Sequence, residues 1–259
     1  MPGSFFQTRV FEVIYHGQTG AHLDDKVYLY GSHEAATIRL IRDLLKKQKM
    51  RGIRPVYIDI GTNTGLHLIT AAPLSDKAIG FEPYDMIRKR ADNNVKQNKL
   101  ANCKIYPFGL SDQEEKLPYT APDRDNHGNG FFSDPSQEYS QKDQSKLFLQ
   151  VKRGDDVFCE TNIGPSVIKI DVEGFEKFVF RGLAQTIKKH KPAIIFEYNQ
   201  ETRRHDPNAL EDIKNSLGPQ YALYGIKRSR ETPKLVPFQE KHKYENVLAL
   251  PEADLENLI

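Results

Sequence analysis

The spacing of apolar residues changes several times along the chain, and each change predicts an element. Residues 5–15 and 26–30 are rich in β-branched and aromatic side chains and lie between Gly17, Gly20 and Gly31, which predicts two short strands. A helix should follow from Ser32, a residue type suited to the N-cap. Glu34 would fall in its first turn, Ile38, Ile41, Leu44 and Leu45 would form one apolar stripe, and Lys46, Lys47 and Lys49 would sit at the end where the dipole favours cations. From Pro55 short apolar runs alternate with helical stretches. Runs at 56–60, 78–81 and 104–108 are separated by helices starting at Thr64 and covering 84–100. After an interruption the alternation resumes with runs at 167–170 and 193–196 and helices over 175–190 and 207–217. Strands joined by helical crossovers imply a parallel sheet covered on both faces, an α/β fold. The last two runs, 221–226 and 244–250, have no helix between them, so antiparallel pairing at a sheet edge is expected, joined by the charged loop 227–243. Residues 1–51 are expected to be strands and a cover helix packed on a main domain over 52–259. A polar, loop-rich insertion is expected at about 112–165.

Composition narrows the classes. Lys and Arg number 37 and Asp and Glu 35 in 259 residues, a formal charge of +2, without the basic excess of a dedicated nucleic-acid binder. No apolar run is long enough to span a membrane, and the first residues lack a basic, then apolar, leader pattern, so a cytoplasmic protein is expected. Cys103 and Cys159 stand far apart and outside any C-x-x-C pair, which excludes a zinc knuckle and a disulfide scaffold.

Three stretches carry candidate chemistry. Asp59-Ile-Gly-Thr-Asn-Thr-Gly65 is a strand that ends in a glycine-containing turn before a helix, where open α/β sheets bind ligands. Asn63 occupies the position where the dinucleotide fingerprint needs glycine for close approach of a pyrophosphate. Asp59 adds negative charge there, which suits a cofactor bearing an ammonium and a sulfonium, such as S-adenosylmethionine. Glu82 closes the next strand in Ile79-Gly-Phe-Glu-Pro83, placed to accept hydrogen bonds from ribose hydroxyls. Lys169-Ile-Asp-Val-Glu-Gly174 brings Asp171 to the same sheet edge, with Glu173 and Gly174 in the turn that follows. Carboxylates gathered there call for a ligand, a cation or a helix N-terminus to offset them.

Together these stretches resemble the FkbM family of S-adenosylmethionine-dependent methyltransferases, with Asp59-Ile-Gly-Thr-Asn-Thr-Gly65, Phe81-Glu-Pro83, Leu110-Ser-Asp112, Lys169-Ile-Asp-Val-Glu-Gly174 and Pro192-Ala-Ile-Ile-Phe-Glu197 in order. Thr62 stands where the family usually has alanine. The resemblance implies a class I methyltransferase, Rossmann-like fold: a seven-stranded, mostly parallel sheet with an antiparallel last strand and helices on both faces. It also implies that Asp59, Gly61, Asn63 and Gly65 form the turn at the methionine moiety. Glu82 and Pro83 would lie at the ribose, Ser111 and Asp112 at the adenine edge, and Asp171 nearest the sulfonium.

An alcohol acceptor must lose its proton, and Asp171, Glu173, Glu197 and His127 are the candidate bases, the carboxylates ahead of the histidine. His33, His67, His190 and His205 have less to recommend them. Asp171, Glu173, Glu197 and Asn199 offer oxygen ligands that would suit a divalent cation, but nothing in their spacing demands one and no metal is assigned. The expected acceptor is a hydroxyl on a sugar or another small molecule such as a polyketide. Phe131, Phe132 and Tyr139 of the insertion are available to stack on a sugar face. Two other classes compete: a nicotinamide-dependent oxidoreductase, and a cofactor-binding module without activity. Oligomeric state is not readable from the sequence.

Overall fold

In the computed structural model, which describes residues 3–121, 130–133, 147–198, 206, 208–227, 229, 232–244 and 246–257, the first elements differ from the expected pair of strands. Phe5–Val10 (β1) and Val13–Gln18 (β2) form an antiparallel hairpin around a tight turn in which Phe11 has φ +54°. Residues 26–30 are helical, as part of His22–Tyr30 (α1). Asp24 and Asp25 favour the N-terminal end of that helix and Gly31, at φ +76°, closes it. The cover helix, Ala35–Met50 (α2), starts three residues beyond Ser32, and Glu34 takes the N-cap position.

The alternating stretch then builds the main sheet: Val56–Ile60 (β3), Leu66–Ala71 (α3), Lys77–Phe81 (β4), Asp85–Gln97 (α4) and Cys103–Tyr106 (β5). The insertion is more ordered than its polar composition suggests. Gly109–Ser111 (β6), Glu115–Thr120 (β7), Phe131–Phe132 (β8) and Leu147–Arg153 (β9) make a separate four-stranded sheet in the order β6-β9-β7-β8, followed by Gly154–Thr161 (α5). Val167–Ile170 (β10) returns to the main sheet. The helix expected over 175–190 is two, Glu176–Gly182 (α6) and Ala184–His190 (α7), meeting at buried Leu183. Ala193–Phe196 (β11), Ala209–Leu217 (α8), Tyr221–Lys227 (β12), Lys234–Pro237 (β13) and Asn246–Pro251 (β14) complete the chain's sheets.

Among the described residues the main sheet has eight strands, where seven were expected, in the order β13-β12-β14-β11-β10-β3-β4-β5. Strands β5, β4, β3, β10 and β11 are parallel, and β14 runs antiparallel between β11 and β12. The eighth strand, β13, comes from the charged loop after β12 and pairs with it at the edge.

Period-two alternation sends successive side chains to opposite faces, and both faces are buried. Ile58, Ile60, Ile168, Ile170, Ile194, Phe196 and Val247 pack under α5 to α8, while Tyr57, Val167, Ile195, Leu248 and Leu250 pack under Leu40, Ile41, Leu44 and Leu45 of α2. Each such aliphatic side chain removed from water contributes about 1.5–3 kcal/mol. A third cluster joins the hairpin to α2 and α3 through Val10, Val13, Tyr15, Ile38, Leu66 and Ile69. Buried Tyr15 is fixed there by Asp24 Oδ1 at 2.5 Å and Thr64 Oγ1 at 2.6 Å. The N-terminal segment therefore shares the core of the rest of the chain. Among the described residues, no helix is long and apolar enough to cross a membrane.

Candidate active site

Beyond the carboxyl ends of β3, β4, β10 and β11 lies a cavity of about 1030 Å³, at the upper limit of the roughly 300–1,000 Å³ usual for one small-molecule ligand. Its wall includes Gly61, Asn63, Glu82, Pro83, Asp171, Glu173 and Glu197, so these expected site residues converge. Asp59, Gly65, Ser111 and Asp112 do not line it. Asp59 is buried beneath the wall. Gly65 packs at the α3 N-terminus against Ala91, where an added Cβ would lie 3.2 Å from the Ala91 Cα. Ser111 is buried in β6 with its carbonyl pressed against Gly182 of α6. Asn199, His127, Tyr139 and His205 lie outside the described residues.

The turn after β3 is shaped by sterics. At Gly61, φ +82°, a Cβ would come within 1.8 Å of the Asp171 carbonyl oxygen, so the β3 and β10 ends approach as closely as only glycine permits. Asn63, at φ +51°, accepts the Thr64 N–H on its own side-chain oxygen at 2.7 Å, the local bond that lets asparagine occupy the left-handed region. Its backbone N–H donates to Glu82 Oε2 at 3.0 Å, and the Tyr84 N–H donates to Glu82 Oε1 at 2.9 Å. Burial pushes the Glu82 carboxyl up to about 7, against the pull of those two amides.

Strand register assembles a second group. Asp59 pairs with Lys169 across β3 and β10, and the pleat sends both to the face covered by α2 and α3. Lys169 is buried, with Nζ 2.5 Å from Asp171 Oδ2 and 4.0 Å from Glu34 Oε2. His67 Nε2 lies 3.3 Å from the same Glu34 oxygen. Burial alone would lower Lys169, but the charges of Asp171, Glu34 and Asp59 outweigh it and hold the ammonium protonated. Burial opposes ionisation of Glu34 as well, yet Lys169 and His67 keep its carboxyl well below the usual range. Burial raises Asp59, whose Oδ1 accepts from the Tyr57 hydroxyl at 3.2 Å. His33, also at the wall, is pushed down to about 4 by burial and so stays neutral at pH 7.

At the other end, Asp171, Glu173 and Glu197 bring one carboxylate oxygen each within 4.8 Å of one another. That spacing can hold a hard divalent cation or share a proton, and such acidic groups also converge without an ion. Glu173 sits at φ +52°, a conformation costing a residue with a Cβ about 1–2 kcal/mol. The nearby Glu176, which completes a run of three acids, is instead structural: buried, it accepts the Val172 and Gly174 N–H groups at 3.1 and 3.3 Å. Tyr119, Phe131 and Phe132 from the inserted sheet, with Phe175 and Tyr244, add an aromatic rim to the cavity, with Tyr119 near both Glu82 and Glu173.

Sequence reasoning missed Glu34, His67, His33 and Lys169. Lys169 was detectable, since it shares strand parity with Asp59. Glu34 and the histidines carried no local signal, because tertiary packing alone brings α1 and α2 to the sheet edge.

A turn, two acidic strand ends and a cavity at the edge of a doubly wound sheet define the class of α/β proteins that bind a nucleoside-type cofactor. Residues 59–223 match the family model described as Methyltransferase FkbM domain, and the chain belongs to that family. Among solved structures, a methyltransferase FkbM from Methylobacillus flagellatus KT is similar at 17% identity and TM-score 0.48, over 75% of this chain and 43% of that one. This chain therefore spans less than half the length of that protein. A SAM-dependent methyltransferase from Agrobacterium tumefaciens aligns over 97% of this chain and 72% of its own, at 9% identity and TM-score 0.50. An O-methyltransferase from Bacillus cereus, in complex with SAH, aligns at 12% identity and TM-score 0.44, over 82% of this chain and 80% of its own. No curated protein matches the sequence significantly.

Proposed function

We propose that the protein transfers a methyl group from S-adenosylmethionine to a hydroxyl of a sugar or another small-molecule acceptor. The observation that carries this is one aromatic-lined cavity that gathers Glu82 beside the Asn63 turn together with the Asp171, Glu173 and Glu197 carboxylates. The residues fit the cofactor in charge. The wall and the floor beneath it hold several carboxylates and an asparagine turn, with no glycine cradle for a pyrophosphate, which favours a cationic nucleoside over a nicotinamide dinucleotide.

Glu82 would accept the ribose hydroxyls, with Pro83 beside it and Gly61 and Asn63 shaping the turn. When bound, the cofactor supplies an electrophilic methyl carbon on a sulfonium. The sulfur would keep the carbon–sulfur electron pair as the acceptor oxygen bonds to the methyl carbon, and Asp171, Glu173 or Glu197 would take the hydroxyl proton. The carboxylates thus act where positive charge would otherwise develop on the acceptor oxygen. Alignment behind the methyl group supplies up to roughly 7–11 kcal/mol of the acceleration.

The test is calorimetric titration with S-adenosylhomocysteine and NAD, followed by isotope-labelled methyl transfer to a panel of free sugars and glycosides. Saturable homocysteine-nucleoside binding with label recovered as an O-methyl ether is expected. Binding of NAD in its place would overturn the proposal.

A further inference from the structure

The cavity floor carries more acid than base. Glu34, Asp59 and Asp171 gather around Lys169 and His67, with Lys26 and the neutral His33 also at the wall. Lys169 is committed to Asp171 at 2.5 Å. Among the described residues, Asp59 Oδ2 is buried without a hydrogen-bond partner, while Glu34 Oε2 faces His67 Nε2 at 3.3 Å, and Glu34 and His67 both line the cavity. Buried polar atoms left so are costly unless a ligand completes them.

Glu34 adds a separate observation. It holds the N-cap position of α2 in the left-handed region, φ +50° and ψ +46°, and makes no side-chain bond to its own helix. A residue there ordinarily turns its oxygen back to the first free amides. Glu34 instead reaches the sheet edge, where the excess negative charge lies. It also stands outside residues 59–223, the span of the family match.

We infer that Glu34, backed by His67 and Asp59, anchors the α-ammonium of the amino-acid end of the cofactor, so that a residue of the N-terminal segment completes the cofactor site. This rests on the S-adenosylmethionine reading above. An ammonium is a compact three-donor cation that matches a floor where Glu34, Asp59 and Asp171 gather around one ammonium, that of Lys169. Glu82, across the turn on β4, is left to the nucleoside.

Two ligands separate the ends: S-adenosylhomocysteine, and 5′-methylthioadenosine, which lacks the amino-acid group. Calorimetry on the parent, Glu34→Gln and Glu34→Ala is expected to show a loss of about tenfold or more for S-adenosylhomocysteine in both variants. Affinity for 5′-methylthioadenosine should stay within about twofold, which also shows that the site is folded. Equal losses for both ligands would make Glu34 merely structural, and unchanged affinity for both would remove it from the site; either overturns the inference. A parent that binds neither ligand would instead overturn the underlying cofactor reading.

Discussion

Glu82 is held by two backbone amides yet raised to about 7 by burial, so near neutral pH it exists in both protonation states. On the proposed function, only the ionised form would accept from both ribose hydroxyls. Affinity for S-adenosylhomocysteine should therefore rise roughly tenfold between pH 6 and pH 8, following the ionised fraction, and Glu82→Gln should flatten that profile and weaken binding at pH 8 by about 1.5–3 kcal/mol. Calorimetry across that range checks both. On the same proposal Asp171 and Glu173 would serve a different stage: Asp171→Asn and Glu173→Gln should keep most cofactor affinity while lowering kcat by roughly 10²–10⁴, measured by labelled methyl transfer. Equal parent and variant rates would pass the role of base to Glu197. Glu82, Asp171, Glu173 and Glu197 were legible because each ends or follows an apolar strand run, a pattern that maps directly onto the sheet edge. Asp59 was legible as a strand-end acid but not as a buried one, because its depth depends on α2 and α3 closing over it. Ser111 and Asp112 were placed by motif alone: Gly109 and Leu110 of β6 reach the cavity wall, but Ser111 beyond them packs on α6.

Among elements, those with clear periodicity were readable and those with mixed signals were not. The strands of the parallel core emerged where the apolar runs placed them. Residues 26–30 did not, because aromatic content imitated a strand while Asp24, Asp25 and Gly31 specified a helix. Strand β7 was hidden by its composition, Glu-Lys-Leu-Pro-Tyr-Thr, in which only Leu117 and Pro118 are buried and the rest serve an edge-like sheet. Leu110, Leu117 and Val151 join that small sheet to the core of the main body, and at one point the two backbones meet at a glycine. At Gly182 an added Cβ would lie 1.9 Å from the Ser111 carbonyl oxygen, with backbone on both sides. Gly182→Ala should cost about 3 kcal/mol or more and displace the aromatic rim, lowering the melting temperature and raising the acceptor KM more than the cofactor Kd.

For the whole molecule, pH and stability are linked through Glu176. Burial raises its carboxyl to about 7, so the folded state keeps the proton that the unfolded chain releases at its ordinary, lower value. Its stabilising contribution is full below the unfolded value and is lost as pH rises through about 7. Glu176→Gln still offers an oxygen to the Val172 and Gly174 amides without that loss. The melting temperature of the variant relative to the parent should therefore climb steadily from pH 5 to pH 8, and a constant difference in scanning calorimetry would refute the linkage.

Strand β14, the last of the main sheet to be synthesised, is also among its most central: it runs antiparallel between β11 and β12, and all six of its residues are buried. On the ribosome, β11 must wait with an open edge while more than fifty further residues are made, and β12 emerges with nothing to pair against on its inner side. Distant pairings of this kind are slow to form and leave apolar edges exposed meanwhile. Nascent chains arrested just before residue 246 should therefore bind chaperones and yield to protease, whereas chains arrested far enough beyond residue 251 for β14 to clear the exit tunnel should become resistant in a single step.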